Sequence, residues 1–299
     1  MTLLMHLSCR FIGKAVMNQL NKEGVNAVEI NLRDHETASS LQHRLISANC
    51  TCLVHLAGRL PTTDPEQQDE IEALTVELAN RCLQAVSKLP HKCSFVFAST
   101  VRVYPLGAGS FNFDIEPAPF DGYGKGKLRV EQLAKSMASP DRPVTILRVS
   151  SVCGIFRTKE GSHEARGLAP ILVQCAKKNG QIRVAGDGTA TKDLIHVDDC
   201  ANAIWLAISN PPERKNSFQR NVLIGSGEPL TVNAVALKVA DMLGSKVEIV
   251  HGPEIANDLA GAVDPEPAWR NLNWKPKKNI DDIISEAIAY MGASHRHVG

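Results

Sequence analysis

The chain has 299 residues, 43% hydrophobic and 22% charged, enough to bury a sizeable core as one large domain or two lobes. Its net charge of +1 gives no electrostatic ground for a nucleic-acid or membrane-surface partner. The opening MTLLMHL is too short for a signal peptide, and no apolar run reaches the roughly 18–20 residues that would span a bilayer. The eight cysteines are scattered. One close pair, Cys50 and Cys52, lies in an apolar run without the C-x-x-C spacing or nearby histidines of a metal site, so buried reduced thiols in a cytosolic protein are expected.

In chain order, apolar runs alternate with amphipathic stretches. TLLMHL predicts a strand, and IGKAVMNQLNKEG a helix closed by Gly24. VNAVEINL predicts a second strand and HETASSLQHRLISA a polar helix. CTCLVHLAG reads as a buried strand, EIEALTVELANRCLQAVSKLP as a long helix, and CSFVFAST as another strand. A loop leads to a helix beginning near Tyr123, and PVTILRVSS follows as a strand. Past Gly154, IFRTKEGSHEARG reads as a polar loop, LAPILVQCAKKNG as a helix and QIRVAG as a strand. KDLIHVDDCANAIWLAISN is again strand then helix, and the remainder mixes short strands and helices, with no repeat and no low-complexity tract. Short apolar strands separated by helices predict βαβ units: an α/β fold with a doubly wound parallel sheet covered on both faces, and a smaller mixed α/β lobe.

The stretch DGYGKGKLRV, residues 121–130, places one of only three tyrosines between glycines, with Lys125, Lys127 and Arg129 close behind. Tyr123 and Lys127 are four apart and share one helix face. A free phenol, with a pKa near 10, is a poor base at neutral pH, and an adjacent cation favours its phenolate. Thr100 ends SFVFAST and adds a hydroxyl where parallel sheets bind their ligands. Tyr-x-x-x-Lys alone also fits a surface tyrosine on a basic helix. The ordered set of Ser99-Thr100, Tyr123, Lys127 and then ILRVSS favours a site.

RFIGKAVMNQL, CLVHLAG, FVFASTVRVY, YGKGK, LRVSSVCG, GDGTATKDLIHVDDCANAI and LNWKPKKNIDDIISEAI together resemble the extended short-chain dehydrogenase/reductases, in particular the NAD-dependent epimerase/dehydratases acting on nucleotide sugars. The resemblance implies a Rossmann-type domain over 1–154, with 193–225 returning to it, and a substrate-binding lobe from 155–192 and 226–299. It implies NAD or NADP as coenzyme, a nucleotide-sugar substrate, a cytoplasmic homodimer, and no metal, with His196 and Asp198-Asp199 structural. Tyr123 would exchange a proton with a sugar hydroxyl, Lys127 would hold the nicotinamide ribose, and Thr100 would orient the substrate oxygen. Coenzyme contacts would come from Arg10, Phe11, Ile12 and Gly13, from Asn31, Leu32 and Arg33, from Leu56, Ala57 and Gly58, and from Ser99 and Ser150 beside Tyr123 and Lys127. Ser151 and Lys192 would join Thr100 and Tyr123 on the substrate.

The chain departs from that pattern at five places. The phosphate loop of the family reads Gly-x-x-Gly-x-x-Gly, whereas these positions are Leu7, Arg10 and Gly13. Small residues let the backbone approach a pyrophosphate; Arg10 either pairs with the phosphate or obstructs it. Only one strand candidate precedes CLVHLAG where the family has two, so Asn31-Leu32-Arg33-Asp34 aligns either with the ribose-reading segment or with the adenine-contacting one. The first alignment tilts towards NADP and the second leaves the preference open. Gly126 stands where the family has serine, at a helix cost of about 1 kcal/mol against alanine. Thr100 is followed by Val101-Arg102 rather than the Asp-Glu of the sugar dehydratases, which leaves a 4-epimerase or a 4-keto-sugar reductase. Lys192 replaces an arginine that contacts the nucleotide diphosphate, and Arg157, Lys159 and Arg166 lie in a charged loop nearby. The rival expectation is a non-catalytic relative with a decayed coenzyme site that acts as a binding or regulatory protein.

Overall fold

The computed structural model describes residues 2–6, 10–30, 32, 36–157, 163–213, 217–244, 247–254 and 259–293. The first half runs β1 (Thr2–His6), α1 (Arg10–Lys22), β2 (Asn26–Ile30), α2 (Ala38–Ser47), β3 (Cys50–His55), α3 (Gln68–Ser87) and β4 (Ser94–Thr100). It continues with β5 (Gly109–Phe111), α4 (Gly122–Met137) and β6 (Val144–Val149). Local chemistry sets the helix ends. Gly24 adopts a left-handed φ of 67° just past α1, and the Thr37 side chain caps α2 by accepting from the Ser40 N–H at 3.1 Å.

The second half runs β7 (Ser151–Arg157), β8 (His163–Arg166), α5 (Leu168–Asn179), β9 (Gln181–Ala185), β10 (Thr191–His196), α6 (Val197–Ser209) and β11 (Gln219–Ile224). The last elements are β12 (Pro229–Thr231), α7 (Val232–Leu243), β13 (Glu248–Gly252), β14 (Gly261–Val263), α8 (Glu266–Leu272) and α9 (Ile280–Ala293).

Six parallel strands form the large sheet in the order β11-β6-β4-β3-β1-β2. Its central strands are continuous apolar runs because both faces are covered; every residue of β6 is buried. Val54, Val96 and Leu147 face α1 and α6, while Phe95, Phe97 and Ile146 face α2, α3 and α4. The chain leaves β1 for β2 on one side and returns to β3 on the other, so the strand order reverses between β1 and β3. Ligand crevices open beyond the strand ends at such a point. Because β2 pairs directly with β1, the single strand before CLVHLAG takes the second-strand place in the sheet.

A second sheet, β12-β10-β7-β8, packs with α5, α7 and α9 around its own core. Here the expected polar loop over 155–167 is corrected: Ser151–Arg157 and His163–Arg166 form an antiparallel pair. Ile155 and Phe156 anchor it as buried residues, while HEAR carries no apolar alternation to announce a strand. Residues 193–196 belong to β10 of this smaller sheet, whereas α6 and β11 join the large one. Ala268, Leu272 and Trp274 also pack into the large-sheet core from the C-terminal part of the chain.

Among the described cysteines, Cys50, Cys52, Cys82, Cys93, Cys153 and Cys200 are buried and Cys175 is half-buried, and none of them is in a disulfide. Burial pushes the Cys52 and Cys153 thiols up to about 12. Among the described residues no helix is long and apolar enough to cross a membrane.

Candidate functional site

Thr100 ends β4, and α4 begins twenty-two positions later with Asp121 as its N-cap. The Asp121 Oδ1 accepts from the Gly124 N–H at 2.7 Å, which fixes the first turn and with it Tyr123. One turn on, Lys127 is only 3% exposed. Its ammonium donates to the Ala98 carbonyl at 2.7 Å and the Ala57 carbonyl at 3.4 Å, at the ends of β4 and β3. It lies 4.7 Å from the Phe97 ring centroid and 5.7 Å from that of Tyr123. Burying an ammonium is costly without partners, and the carbonyl oxygens and ring faces supply them.

The glycines around Tyr123 answer to packing. A Cβ on Gly122 would sit 2.0 Å from the Gln68 carbonyl oxygen, and one on Gly124 2.3 Å from that of Arg102. On Gly126 it would meet the Thr75 Cβ at 3.0 Å and the Glu72 carbonyl oxygen at 3.1 Å. Helices α3 and α4 therefore touch backbone to backbone. At Gly126, where the family has serine, a side chain would require Thr75 or the α3 backbone to give by a few tenths of an ångström.

Two adjoining cavities share the Thr100–Tyr123 wall. The larger, ≈ 580 Å³, is lined by Phe11, Ile12, Thr100, Arg102, Tyr123, Ser150, Ser151, Arg166, Lys192 and Asp193 among others. The smaller, ≈ 120 Å³, is bounded by Ile12, Leu56, Gly58, Ser99, Thr100, Tyr123, Lys127 and Ser150. The lining comes from the carboxyl ends of the large-sheet strands, the starts of α1 and α4, and parts of β7, β8 and β10.

The match to a family model rests on residues 10–225, which align with the NAD dependent epimerase/dehydratase family. The chain belongs to that family. Among its relatives, the dTDP-L-rhamnose 4-epimerase of Burkholderia thailandensis is 28% identical over 57% of this chain and 46% of that protein, so the alignment spans about half of that relative. The UDP-glucose 4-epimerase of Erwinia amylovora is 27% identical over 90% of this chain and 87% of its own length. The structure of MoeE5 in complex with UDP-glucose and NAD superposes with a TM-score of 0.83, covering 99% of this chain and 100% of that one, at 23% identity. At that identity the likeness shows the fold.

Against this family's pattern, the structure brings Phe11, Ile12, Leu56, Gly58, Ser99, Thr100, Tyr123, Lys127, Ser150, Ser151 and Lys192 to the two cavities. Ala57 contributes its carbonyl to Lys127. Two residues are drawn elsewhere: Gly13 is buried within α1, and Leu32 packs against the core on the α2–α3 side. Ser99 lines the smaller cavity, but its hydroxyl donates to Glu131 Oε1 at 2.6 Å. Lys192 Nζ donates to the Leu259 carbonyl at 2.7 Å, and Arg166 pairs with Glu164 at 2.6 Å. Arg157 is exposed at the end of β7. Leu7, Asn31, Arg33, Asp34 and Lys159 lie outside the described residues, as does the side chain of Arg10.

By its donor set the smaller cavity suits the nicotinamide end of the coenzyme that the family implies. A phenol and a buried ammonium stand on one side of it, with strand-end backbone and the Ser150 hydroxyl on the other. Lys127, Tyr123, Gly58 and Ile12 would hold it there.

Three arrangements around the site were not anticipated. Glu131, four residues after Lys127, is fully buried and pairs with Arg148: Nε to Oε1 at 3.0 Å and Nη2 to Oε2 at 2.8 Å. Arg148 Nη1 donates to the Tyr104 hydroxyl at 2.9 Å, and burial pushes that phenol up. Burial would lower the Arg148 pKa, but the hydrogen bonds and charge of Glu131 outweigh it and raise it. This chain locks α4 to β4 and β6. Its signal in the sequence is a charge inside an apolar strand, the arginine of TILRV. Second, Asp193 accepts from the N–H groups of Ser226 (2.7 Å), Gly227 (3.0 Å) and Val263 (3.0 Å) and from Ser150 Oγ (3.3 Å), tying the two sheets at the cavity floor. Third, His196 Nδ1 accepts from the Asp198 N–H at 3.0 Å and Nε2 faces Glu286 at 3.0 Å, while Lys278 bridges Asp198 and Glu286. Asp199 accepts from the Lys278 N–H at 3.0 Å. Partial burial would raise the Glu286 carboxyl, but hydrogen bonds and charge from His196 and Lys278 prevail and hold it at about 2.

Proposed function

We propose that the protein is an NAD(P)-dependent nucleotide-sugar 4-epimerase or 4-keto-sugar reductase, with Tyr123 as its acid/base. The observation that carries this is the meeting of Thr100, Tyr123 and Lys127 on the wall shared by the two cavities. The nicotinamide, when bound, takes or gives the hydride at the sugar carbon. Tyr123 takes the proton of the sugar hydroxyl as the carbonyl forms and returns it as the alcohol forms. The Thr100 hydroxyl, whose oxygen already accepts from the Arg102 N–H at 3.2 Å, donates to that same sugar oxygen. The Lys127 ammonium beside the Tyr123 ring favours the phenolate. Ser151 and Lys192 line the larger cavity on the side away from α4 and would contact the remainder of the nucleotide sugar. Val101 and Arg102 follow Thr100 in place of an acid pair, which disfavours a dehydratase.

The named relatives, dTDP- and UDP-sugar 4-epimerases, support an epimerase over a reductase. The test is conversion of UDP-glucose or dTDP-rhamnose in the presence of NAD or NADP, followed by chromatography of the sugar nucleotides. Lys127→Met should weaken coenzyme binding as well as turnover; lost turnover with unchanged coenzyme affinity would count against the ribose-holding role. Leu7 and Arg10, in place of two phosphate-loop glycines, favour a second reading: a relative that has kept the fold and binds without catalysis. No detectable coenzyme binding by calorimetry would put that reading first.

A further inference from the structure

Arg102 stands two residues past Thr100 and lines the same large cavity as Thr100 and Tyr123. Its guanidinium is held in place from two directions. Nε donates to Asp121 Oδ2 at 2.8 Å and Nη2 donates to the same oxygen, while the group lies 4.8 Å from the Phe120 ring centroid. Asp121 is itself immobile, because its other oxygen caps α4. The same carboxylate thus fixes both the helix of Tyr123 and the position of the cation. The Arg102 side chain stays 26% exposed, and Nη1 makes no hydrogen bond among the described residues.

A latch for α4 needs only the edge of the guanidinium that meets Asp121. The remaining edge is a pre-positioned fork of N–H donors at the cavity wall, and that shape suits a carboxylate. Asp193 is the only carboxylate lining the cavity among the described residues, and its oxygens are occupied by three backbone N–H groups and two serine hydroxyls. Sugar chemistry then says which substrate group can reach Arg102. In a nucleotide sugar the diphosphate is carried on C1, across the ring from C4. With O4 at Thr100 and Tyr123, the neighbouring substituents are O3 on C3 and the C6 group on C5, and of these only C6 can carry a carboxylate. The diphosphate, on the opposite side of the ring, points away from Thr100 and Tyr123.

We propose that Arg102 binds a carboxylate at C6, so that the substrate is an acidic nucleotide sugar, a nucleoside-diphosphate uronic acid. This rests on the nucleotide-sugar reading above. The coenzyme-loaded protein is titrated by calorimetry with UDP-glucuronate, UDP-glucose and UDP, alongside the Arg102→Met and Arg102→Lys variants. The wild type should bind UDP-glucuronate about tenfold or more tighter than UDP-glucose, as a charge-assisted bidentate pair requires. Arg102→Met should remove that preference and leave UDP affinity unchanged, and Arg102→Lys should keep part of it. Equal affinities in the wild type overturn the proposal, as does a preference that survives in Arg102→Met. If Arg102→Met does not fold, as judged by its melting curve, the wild-type ratio and the Lys variant decide. Turnover measured in parallel separates this inference from the catalytic reading. Preference without turnover keeps the inference and sinks catalysis, turnover without preference does the reverse, and binding of neither sugar nucleotide sinks both.

Discussion

Helix α4 and the start of α1 both line the smaller cavity and treat glycine in opposite ways. Around Tyr123 every second residue is glycine, and at Gly122 and Gly124 a Cβ would fall within 2.3 Å of a neighbouring backbone oxygen. Before α1 and at its first residue, two positions where the family has glycine carry Leu7 and Arg10. The difference is in what demands the small residue. At α4 the protein's own backbone demands it, so the glycines are a condition of folding. In the family's phosphate loop a ligand demands it, so changes at these two positions are expected to act on coenzyme affinity rather than on folding.

If that distinction holds, substitutions on the α4 side should act on stability. Glu131→Ala would strand the Arg148 guanidinium, whose side chain is 4% exposed, and should destabilise the protein by about 3–5 kcal/mol in denaturant titrations. A loss near zero would mean that the Ser99–Glu131–Arg148–Tyr104 chain does not hold α4 to the sheet. Gly122→Ala should cost about 1–3 kcal/mol or more, read from the same titrations, because its methyl group would overlap the Gln68 carbonyl. An unchanged midpoint would show that α3 and α4 can slide apart freely.

Substitutions at the loop should act on binding instead. Restoring glycine at both Leu7 and Arg10 should leave the melting temperature nearly unchanged and tighten NAD(P) binding by about 1–3 kcal/mol if crowding dominates. Arg10→Gly alone separates the alternatives: tighter binding marks obstruction, whereas weaker binding with less salt dependence marks a phosphate ligand.

The smallest effect lies away from both walls, at Glu286. Its folded-state value of about 2 lies below the ordinary 4.5, so its contribution is present above pH 4.5 and is lost as pH falls towards 2. Glu286→Gln should flatten the fall in melting temperature across that window. A variant with the wild-type pH profile would remove the His196–Lys278 cluster as the cause.

Much of this was legible from residue order. The alternation of apolar strands and amphipathic helices anticipated the large sheet, and the four-residue spacing of Tyr123 and Lys127 placed both on one helix face at the end of β4. The β7–β8 hairpin was not legible, because HEAR pairs through backbone hydrogen bonds and presents no apolar face to signal a strand. The split of PVTILRVSS was hidden for a different reason. Ser150 still donates its backbone N–H to Ile224 in the large sheet while Ser151 starts β7 in the small one, a change of partner that no periodicity encodes. The three glycines were conspicuous in the sequence, yet their cause, the approach of Gln68, Glu72 and Arg102, is a tertiary fact.

The central claim is that Thr100, Tyr123 and Lys127 form a working proton-transfer wall, and Tyr123→Phe tests it most directly. Turnover of a UDP-sugar with NAD(P), followed by chromatography of the product, is compared between the wild type and a variant shown by its melting curve to be folded. The account predicts a fall of about 10² to 10⁴ in turnover, the usual contribution of a positioned acid/base, with sugar-nucleotide affinity little changed. Near-normal turnover in folded Tyr123→Phe would contradict it.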